Sequence, residues 1–214
     1  MALDMDGLLF DTEGLYWELG DVVLRRRGHR YGTELQQRMM GRVGLSAVQQ
    51  MVDFHSLDDS PEDLLDECDG LFADMITDGV APMPGLSHWI DTMRAAGIRF
   101  GLATSNRRRF VDVILGHVDW RDELAFELTG DDVTRGKPDP EMYLKAAAGF
   151  GIPPQRMMVL EDSQNGCASA VAAGAIAVAV PSVHTQHQCF DGARLIAETL
   201  ADPKLATLLT STTE

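Results

Sequence analysis

The stretch Leu3-Asp4-Met5-Asp6-Gly7-Leu8-Leu9-Phe10-Asp11-Thr12-Glu13 sets two acids one residue apart at the end of a short apolar start. Residues two apart in an extended chain face the same side, and Gly7 lets the backbone turn directly afterwards, so both carboxylates can be aimed at one point. Such a pair reads either as a nucleophile with an acid/base partner, potentially around a metal, or as the acidic beginning of a surface turn; the motif by itself does not choose. Only Met1-Ala2-Leu3 precede Asp4. A strand usually runs about five or six residues, so an abbreviated first strand with a light hold on Asp4 is expected.

Outward from this stretch, Leu15, Leu19, Val22 and Val23 recur at helical spacing between Glu13 and Arg27, with Gly28 closing the run. Further helices are predicted over 33–40, 45–54 and 61–78. The last opens with Ser60 as N-cap, Pro61 in the first helical position and Asp63 in the first turn. No strand is predicted between residues 13 and 80. Ala81-Pro82-Met83-Pro84-Gly85 then breaks helix and sheet alike and suits a hinge.

Beyond the hinge the pattern alternates. Helix 86–96, strand 98–103, helix 107–117, strand 125–129, helix 141–149, strand 157–161, helix 164–173 and strand 175–180 are predicted in that order, with Pro181 ending the last. Strands alternating with helices form parallel βαβ units. In such sheets ligands bind beyond the carboxyl ends of the strands. Asp4/Asp6, Thr104-Ser105, Lys137 and Glu161-Asp162 all fall at or near such ends. Taken singly, Thr104 and Ser105 read as an N-cap, Lys137 as a loop lysine, and Glu161-Asp162-Ser163 as a charged helix entry. The coincidence of all four points to one site.

The formal net charge of -15 argues against nucleic acid as a partner. Two clusters break the acidic background. Arg25-Arg26-Arg27, before Gly28, suits the last turn of a helix, and Arg107-Arg108-Arg109 reads as a solvated helical face. Cys68, Cys167 and Cys189 are odd in number and lack C-x-x-C spacing, which indicates neither a disulfide framework nor a zinc site. No apolar run approaches the length that spans a bilayer, and no basic region with a following apolar block opens the chain. A cytoplasmic monomer with no membrane partner is expected.

Two acids such as Asp4 and Asp162, beside a dianionic substrate, require a cation, and oxygen-only ligands suit Mg2+ better than zinc. Asp4 can then attack phosphorus in line. Asp6 can protonate the departing oxygen and afterwards activate water. Lys137, the Thr104 hydroxyl and the N–H groups of Ser105 and Asn106 can receive the phosphoryl oxygens.

With these residues in place, the chain resembles the haloacid dehalogenase superfamily, in the branch of β-phosphoglucomutase and the phosphoglycolate-type phosphatases. The resemblance rests on Asp4-x-Asp6-Gly7 with Asp11-Thr12-Glu13, on Leu102-Ala103-Thr104-Ser105-Asn106, on Gly136-Lys137-Pro138-Asp139-Pro140, and on Leu160-Glu161-Asp162-Ser163-x-x-Gly166. It implies an α/β Rossmann-like parallel-sheet core over residues 1–12 and 81–214, with an inserted all-helical cap over 13–80. It further implies a magnesium cofactor, an aspartyl-phosphate on Asp4, acid/base work by Asp6, phosphoryl binding by Thr104 and Lys137, and metal ligation by Asp4, Asp162 and the Asp6 carbonyl, supported by Glu161.

Within that family an acid at position 6 sets dehalogenation aside. The mutase branch carries a cap-hinge histidine and a basic cap residue, and the corresponding positions here hold Tyr16 and Leu45. The reading is therefore hydrolysis of a small phosphorylated metabolite, such as a sugar phosphate or a phosphoglycolate-like ester. Phosphoryl transfer of the β-phosphoglucomutase kind and a catalytically silent binding protein are the alternatives. Met39-Met40-Gly41-Arg42-Val43-Gly44-Leu45-Ser46 is placed like the family's specificity loop, and Arg42 can meet the leaving group or simply lie exposed.

Overall fold

The computed structural model describes residues 1–39, 42 and 44–211. It divides into two compact units, one made of Met1–Asp11 with Val80–Glu214 and the other of Thr12–Gly79.

The first unit is built on a parallel sheet. Its strands are β1 (Ala2–Leu3), β2 (Gly101–Ala103), β3 (Glu127–Leu128), β4 (Met158–Glu161), β5 (Ile176–Ala179) and β6 (Leu195–Ile196), in the order β3-β2-β1-β4-β5-β6. The first strand is as short as the sequence implies. It is nevertheless central, with Leu3 in register with Leu102 on one side and Leu160 on the other, and the Asp4 N–H continues the ladder to the Leu160 carbonyl at 3.1 Å. The light hold expected on Asp4 is thus offset by pairing on both flanks.

Four predicted strands are shorter in the structure than expected, β4 by Met157 alone. β2 begins at Gly101 rather than at residue 98, β3 covers only two of five expected residues, and β5 spans four of six. Gly101 is required by space, because a Cβ there would lie 2.7 Å from the Phe126 ring.

The unit's helices are α5 (Leu86–Ala95), α6 (Arg108–Leu115), α7 (Glu141–Phe150), α8 (Gln164–Ala172) and α9 (Pro203–Ser211). α7 packs on β2, β3 and α8. Its buried face, Met142, Tyr143, Ala146, Ala147 and Phe150, joins Ala2, Ala103, Val159, Ala170 and Ala177 in one core. Alanines on both helix and strand let the layers approach closely. β6 and α9 lie in a stretch that carries no prediction. Among the described residues no helix is long and apolar enough to cross a membrane.

The second unit is helical: α1 (Glu13–Arg25), α2 (Thr33–Met39), α3 (Leu45–His55) and α4 (Pro61–Met75). The predicted end of α2 at Met40 lies outside the described residues. α4 stops at Met75 rather than at residue 78, since Ile76 caps it and Gly79 follows at φ 91°. Arg25 does end α1, but Arg27 does more than meet a helix dipole. Its guanidinium takes Asp59 at 2.6 and 2.9 Å and Glu67 at 2.6 Å, tying the end of α1 to α4 and the turn before it. The chain leaves and re-enters the first unit through a backbone clasp, Asp11 N–H to the Ala81 carbonyl at 2.8 Å and Met83 N–H to the Leu9 carbonyl at 2.8 Å.

Two substitutions test these local readings. The Ser60 Oγ accepts the Asp63 N–H at 3.1 Å, so Ser60→Ala is expected to lower stability by about 1 kcal/mol, seen as a shifted urea midpoint; Ser60→Asp should recover most of it. At the start of α8, a Cβ on Gly166 would lie 1.9 Å from the Glu161 carboxyl carbon. Overpacking of this kind costs about 1–3 kcal/mol, and a Gly166→Ala protein that unfolds at the wild-type midpoint would contradict the geometry.

Candidate active site

The sheet gathers the acids by register. Because Leu3 and Leu160 are paired neighbours, the residues that follow, Asp4 and the Glu161-Asp162 pair, leave adjacent strands side by side. Asp4, Glu161 and Asp162 are all buried, and each offers an oxygen within 4.8 Å of the others. Gly7 makes that approach possible twice over. It adopts φ 73°, and a Cβ on it would lie 2.5 Å from Asp162 Oδ2. The sequence reading of Gly7 as a bend was right, and the second reason for it needs the neighbour's position.

Lys137 enters this group from the loop before α7. Its ammonium donates to Asp4 Oδ1 at 2.5 Å, to Glu161 Oε1 at 2.6 Å and to the Ala103 carbonyl at 2.9 Å. An ammonium has three protons, and all three are used. The side chains of Lys137, Asp4 and Glu161 are 6%, 8% and 1% exposed, so water screens these charges little. Burial alone works against the charged lysine, yet Asp4 and Glu161 raise its pKa above the ordinary lysine value. Burial, with Glu161 and Asp6 adding to it and Lys137 opposing, holds the Asp4 carboxyl well above the usual carboxylate range. An acid in that condition is short of positive charge.

Asp6 is turned elsewhere. Its Oδ2 accepts from Thr104 Oγ1 at 3.0 Å and its Oδ1 from Asn106 Nδ2 at 3.0 Å. The Asn106 N–H, expected to offer itself to a ligand, donates to Thr104 Oγ1 at 3.0 Å. The helix start expected at residue 107 lies one residue later, and Asn106 Oδ1 accepts the Arg107 N–H at 2.8 Å. The Ser105 carbonyl lies against Gly130, where a Cβ would collide with its oxygen. Arg108, read as part of a solvated face, pairs with Glu127 at 2.6 Å and Asp132 at 3.3 Å.

Asp4, Asp6, Thr104, Asn106, Lys137, Glu161 and Asp162 all belong to the first unit, whereas Arg42 belongs to the helical one. There the Arg42 Nε donates to the Arg38 carbonyl at 3.0 Å and Nη1 reaches Ser46 Oγ at 3.4 Å. Met40, Gly41 and Val43 of the expected specificity loop lie outside the described residues. Three participants escaped the sequence reading. The Tyr143 hydroxyl donates to Glu161. Ser163 Oγ, besides capping α8, lies 3.2 Å from Glu161 Oε2. Thr185 Oγ1 accepts the Ser182 N–H at 3.0 Å and points to Asp162 Oδ2 at 3.4 Å. Only Ser163, inside a quoted motif, carried a signal.

The donor set suits a hard divalent cation. It consists of oxygens alone, and three buried carboxylates against one buried ammonium leave two negative charges in excess when all are ionised.

A family model described as haloacid dehalogenase-like hydrolase matches residues 1–174. A phosphorylated carbohydrates phosphatase of Thermotoga maritima is 31% identical over 81% of this chain and 81% of its own length. A (DL)-glycerol-3-phosphatase 2 of Arabidopsis thaliana is 32% identical over 95% of this chain and 88% of its own. Among solved structures, CbbY from Rhodobacter sphaeroides in complex with xylulose-(1,5)bisphosphate superposes with a TM-score of 0.82 at 25% identity, covering 94% of this chain and 93% of that one. The chain is a phosphohydrolase and belongs to the haloacid dehalogenase-like hydrolases.

Proposed function

We propose that this protein hydrolyses small phosphomonoesters with Mg2+, through an aspartyl-phosphate on Asp4. The observation that carries the reading is the Lys137 ammonium at 2.5 Å from a buried Asp4 that stands beside Asp162.

Asp4, Asp162 and the Asp6 carbonyl would hold the cation. When bound, it supplies positive charge to the phosphoryl oxygens and to Asp4. Asp4 attacks phosphorus with one carboxylate oxygen. The bond to the ester oxygen breaks, and a protonated Asp6 gives its proton to the leaving alkoxide. Asp6, now a carboxylate, takes a proton from water as that water attacks phosphorus. The bond from phosphorus to Asp4 breaks, and phosphate and the free carboxylate are restored. Lys137 neutralises charge on the phosphoryl group throughout.

Thr104 and Asn106 have a double part. The Thr104 hydroxyl and the Asn106 side-chain amide hold the Asp6 side chain, while the Thr104 hydroxyl and the Asn106 N–H are assigned to phosphoryl oxygens. Substrate and Asp6 therefore compete for the Thr104 hydroxyl, so an incoming phosphoryl group loosens Asp6 toward the leaving oxygen. Substrate choice is assigned to the helical unit, with Arg42 as its candidate contact.

Hydrolysis is preferred to transfer because Tyr16 and Leu45 stand where a mutase needs a histidine and a base. Tyr16 is stacked on Phe72 with ring centres 4.7 Å apart. Leu45 is an apolar side chain 46% exposed. Relatives named as phosphatases support the same choice.

A panel of phosphorylated sugars, polyols and short acids, assayed for phosphate release with Mg2+, tests the reading. Asp4→Asn is expected to cut turnover by at least about a thousand-fold with the far-UV circular dichroism unchanged. Full activity in excess chelator would refute the metal. With β-glucose 1-phosphate and a bisphosphate primer, phosphorus NMR should show inorganic phosphate accumulating ahead of glucose 6-phosphate; the reverse order would make the protein a mutase.

A further inference from the structure

Tyr143 lies in the first turn of α7 and is fully buried. A phenylalanine would fill the same core space. A buried tyrosine hydroxyl needs a partner, and this one donates to Glu161 Oε1, the oxygen that also accepts from Lys137. The ring of Tyr143 lies 5.1 Å from the Lys137 nitrogen. One side chain therefore touches both members of the buried pair.

Glu161 has two occupations open to it. It offers an oxygen to the carboxylate cluster with Asp4 and Asp162, and it anchors Lys137. Its donors decide between them. Oε1 receives Lys137 and Tyr143, while among the described residues Oε2 receives only Ser163, at 3.2 Å. Gly166 lies against the carboxylate as a whole, so near that a Cβ there would fall 2.0 Å from either oxygen, and leaves the group little room to move. Glu161 is thereby fixed with Oε1 on the lysine.

Lys137 in turn depends on Glu161. A lysine carries its charge on a flexible four-carbon stem, and its nitrogen is located by three acceptors: Asp4, the Ala103 carbonyl and Glu161. Loss of one corner lets the ammonium swing. A misplaced charge weakens most the interactions that develop in the transition state.

We propose that Tyr143 is a positioning residue for the hydrolysis: its hydroxyl commits Glu161 to Lys137 and so keeps the Lys137 ammonium on Asp4. This rests on the phosphohydrolase reading above. Tyr143→Phe retains the ring and removes only the hydroxyl, which separates positioning from packing. Its kcat is expected to fall about ten-fold with KM within about two-fold. In a Glu161→Leu background, which has no acceptor at that place, the same change should alter kcat by less than about two-fold, because the hydroxyl then has nothing to commit.

The experiment measures kcat and KM for the wild type, Tyr143→Phe, Glu161→Leu and the double variant, with Asp4→Asn alongside. Wild-type turnover no faster than that of Asp4→Asn would refute the hydrolase reading itself. Given wild-type turnover, a Tyr143→Phe kcat within two-fold of wild type overturns the positioning role alone. A full ten-fold loss repeated in the Glu161→Leu background also overturns it, assigning the effect to packing. Should the phenylalanine variant not fold, 3-fluorotyrosine at position 143 alters the hydroxyl and little else. A kcat changed by more than two-fold then supports the role, and an unchanged kcat overturns it.

Discussion

A buried ammonium with every proton committed is the interaction on which the rest of the site depends. Removing one partner from such a group leaves an uncompensated charge in a region with little water, which costs several kcal/mol in typical proteins. Lys137 therefore does more than bring one positive charge into the pocket. It makes possible the burial of Asp4 and Glu161 on neighbouring strands. The surplus of negative charge that it leaves behind is what makes the same pocket suitable for a divalent cation.

The residues that surround this cluster can be understood as answers to crowding. Gly7 lies against Asp162, Gly166 against Glu161 and Gly130 against the Ser105 carbonyl, each so near that a side chain would collide. Carboxylates buried this deeply need backbone close by to exclude water, and glycine is the residue that permits it. Two of these glycines fall in the stretches that announced the site, Asp4-x-Asp6-Gly7 and Glu161-Asp162-Ser163-x-x-Gly166. Their spacing is the imprint of that crowding on the sequence.

What could be read in advance follows from where information is local. Asp4, Lys137, Glu161 and Asp162 were legible because strand-to-loop transitions are written in hydrophobic pattern, and acids at several such transitions are unusual. Helix α4 was legible to its cap, since Ser60, Pro61 and Asp63 act on their own backbone. β6 was not, because two residues carry no period. Tyr143 looks like any core aromatic of α7, and its hydroxyl gains meaning only from Glu161, eighteen positions later. Thr185 sits in an irregular stretch and is defined by Asp162, twenty-three positions earlier. The ion pairs of Arg108, which stays partly exposed, were hidden for the same reason: Glu127 and Asp132 are distant in sequence and brought to it by the fold.

The clasp formed by Asp11 with Ala81 and by Leu9 with Met83 has an evolutionary side. It fixes the two ends of the helical insertion with backbone bonds alone, which are indifferent to side-chain identity. The pairing of Leu3 with Leu102 and Leu160 is then insulated from whatever lies between residues 12 and 79. The insertion can drift, lengthen or be exchanged while Asp4, Glu161 and Asp162 keep their places at the ends of paired strands.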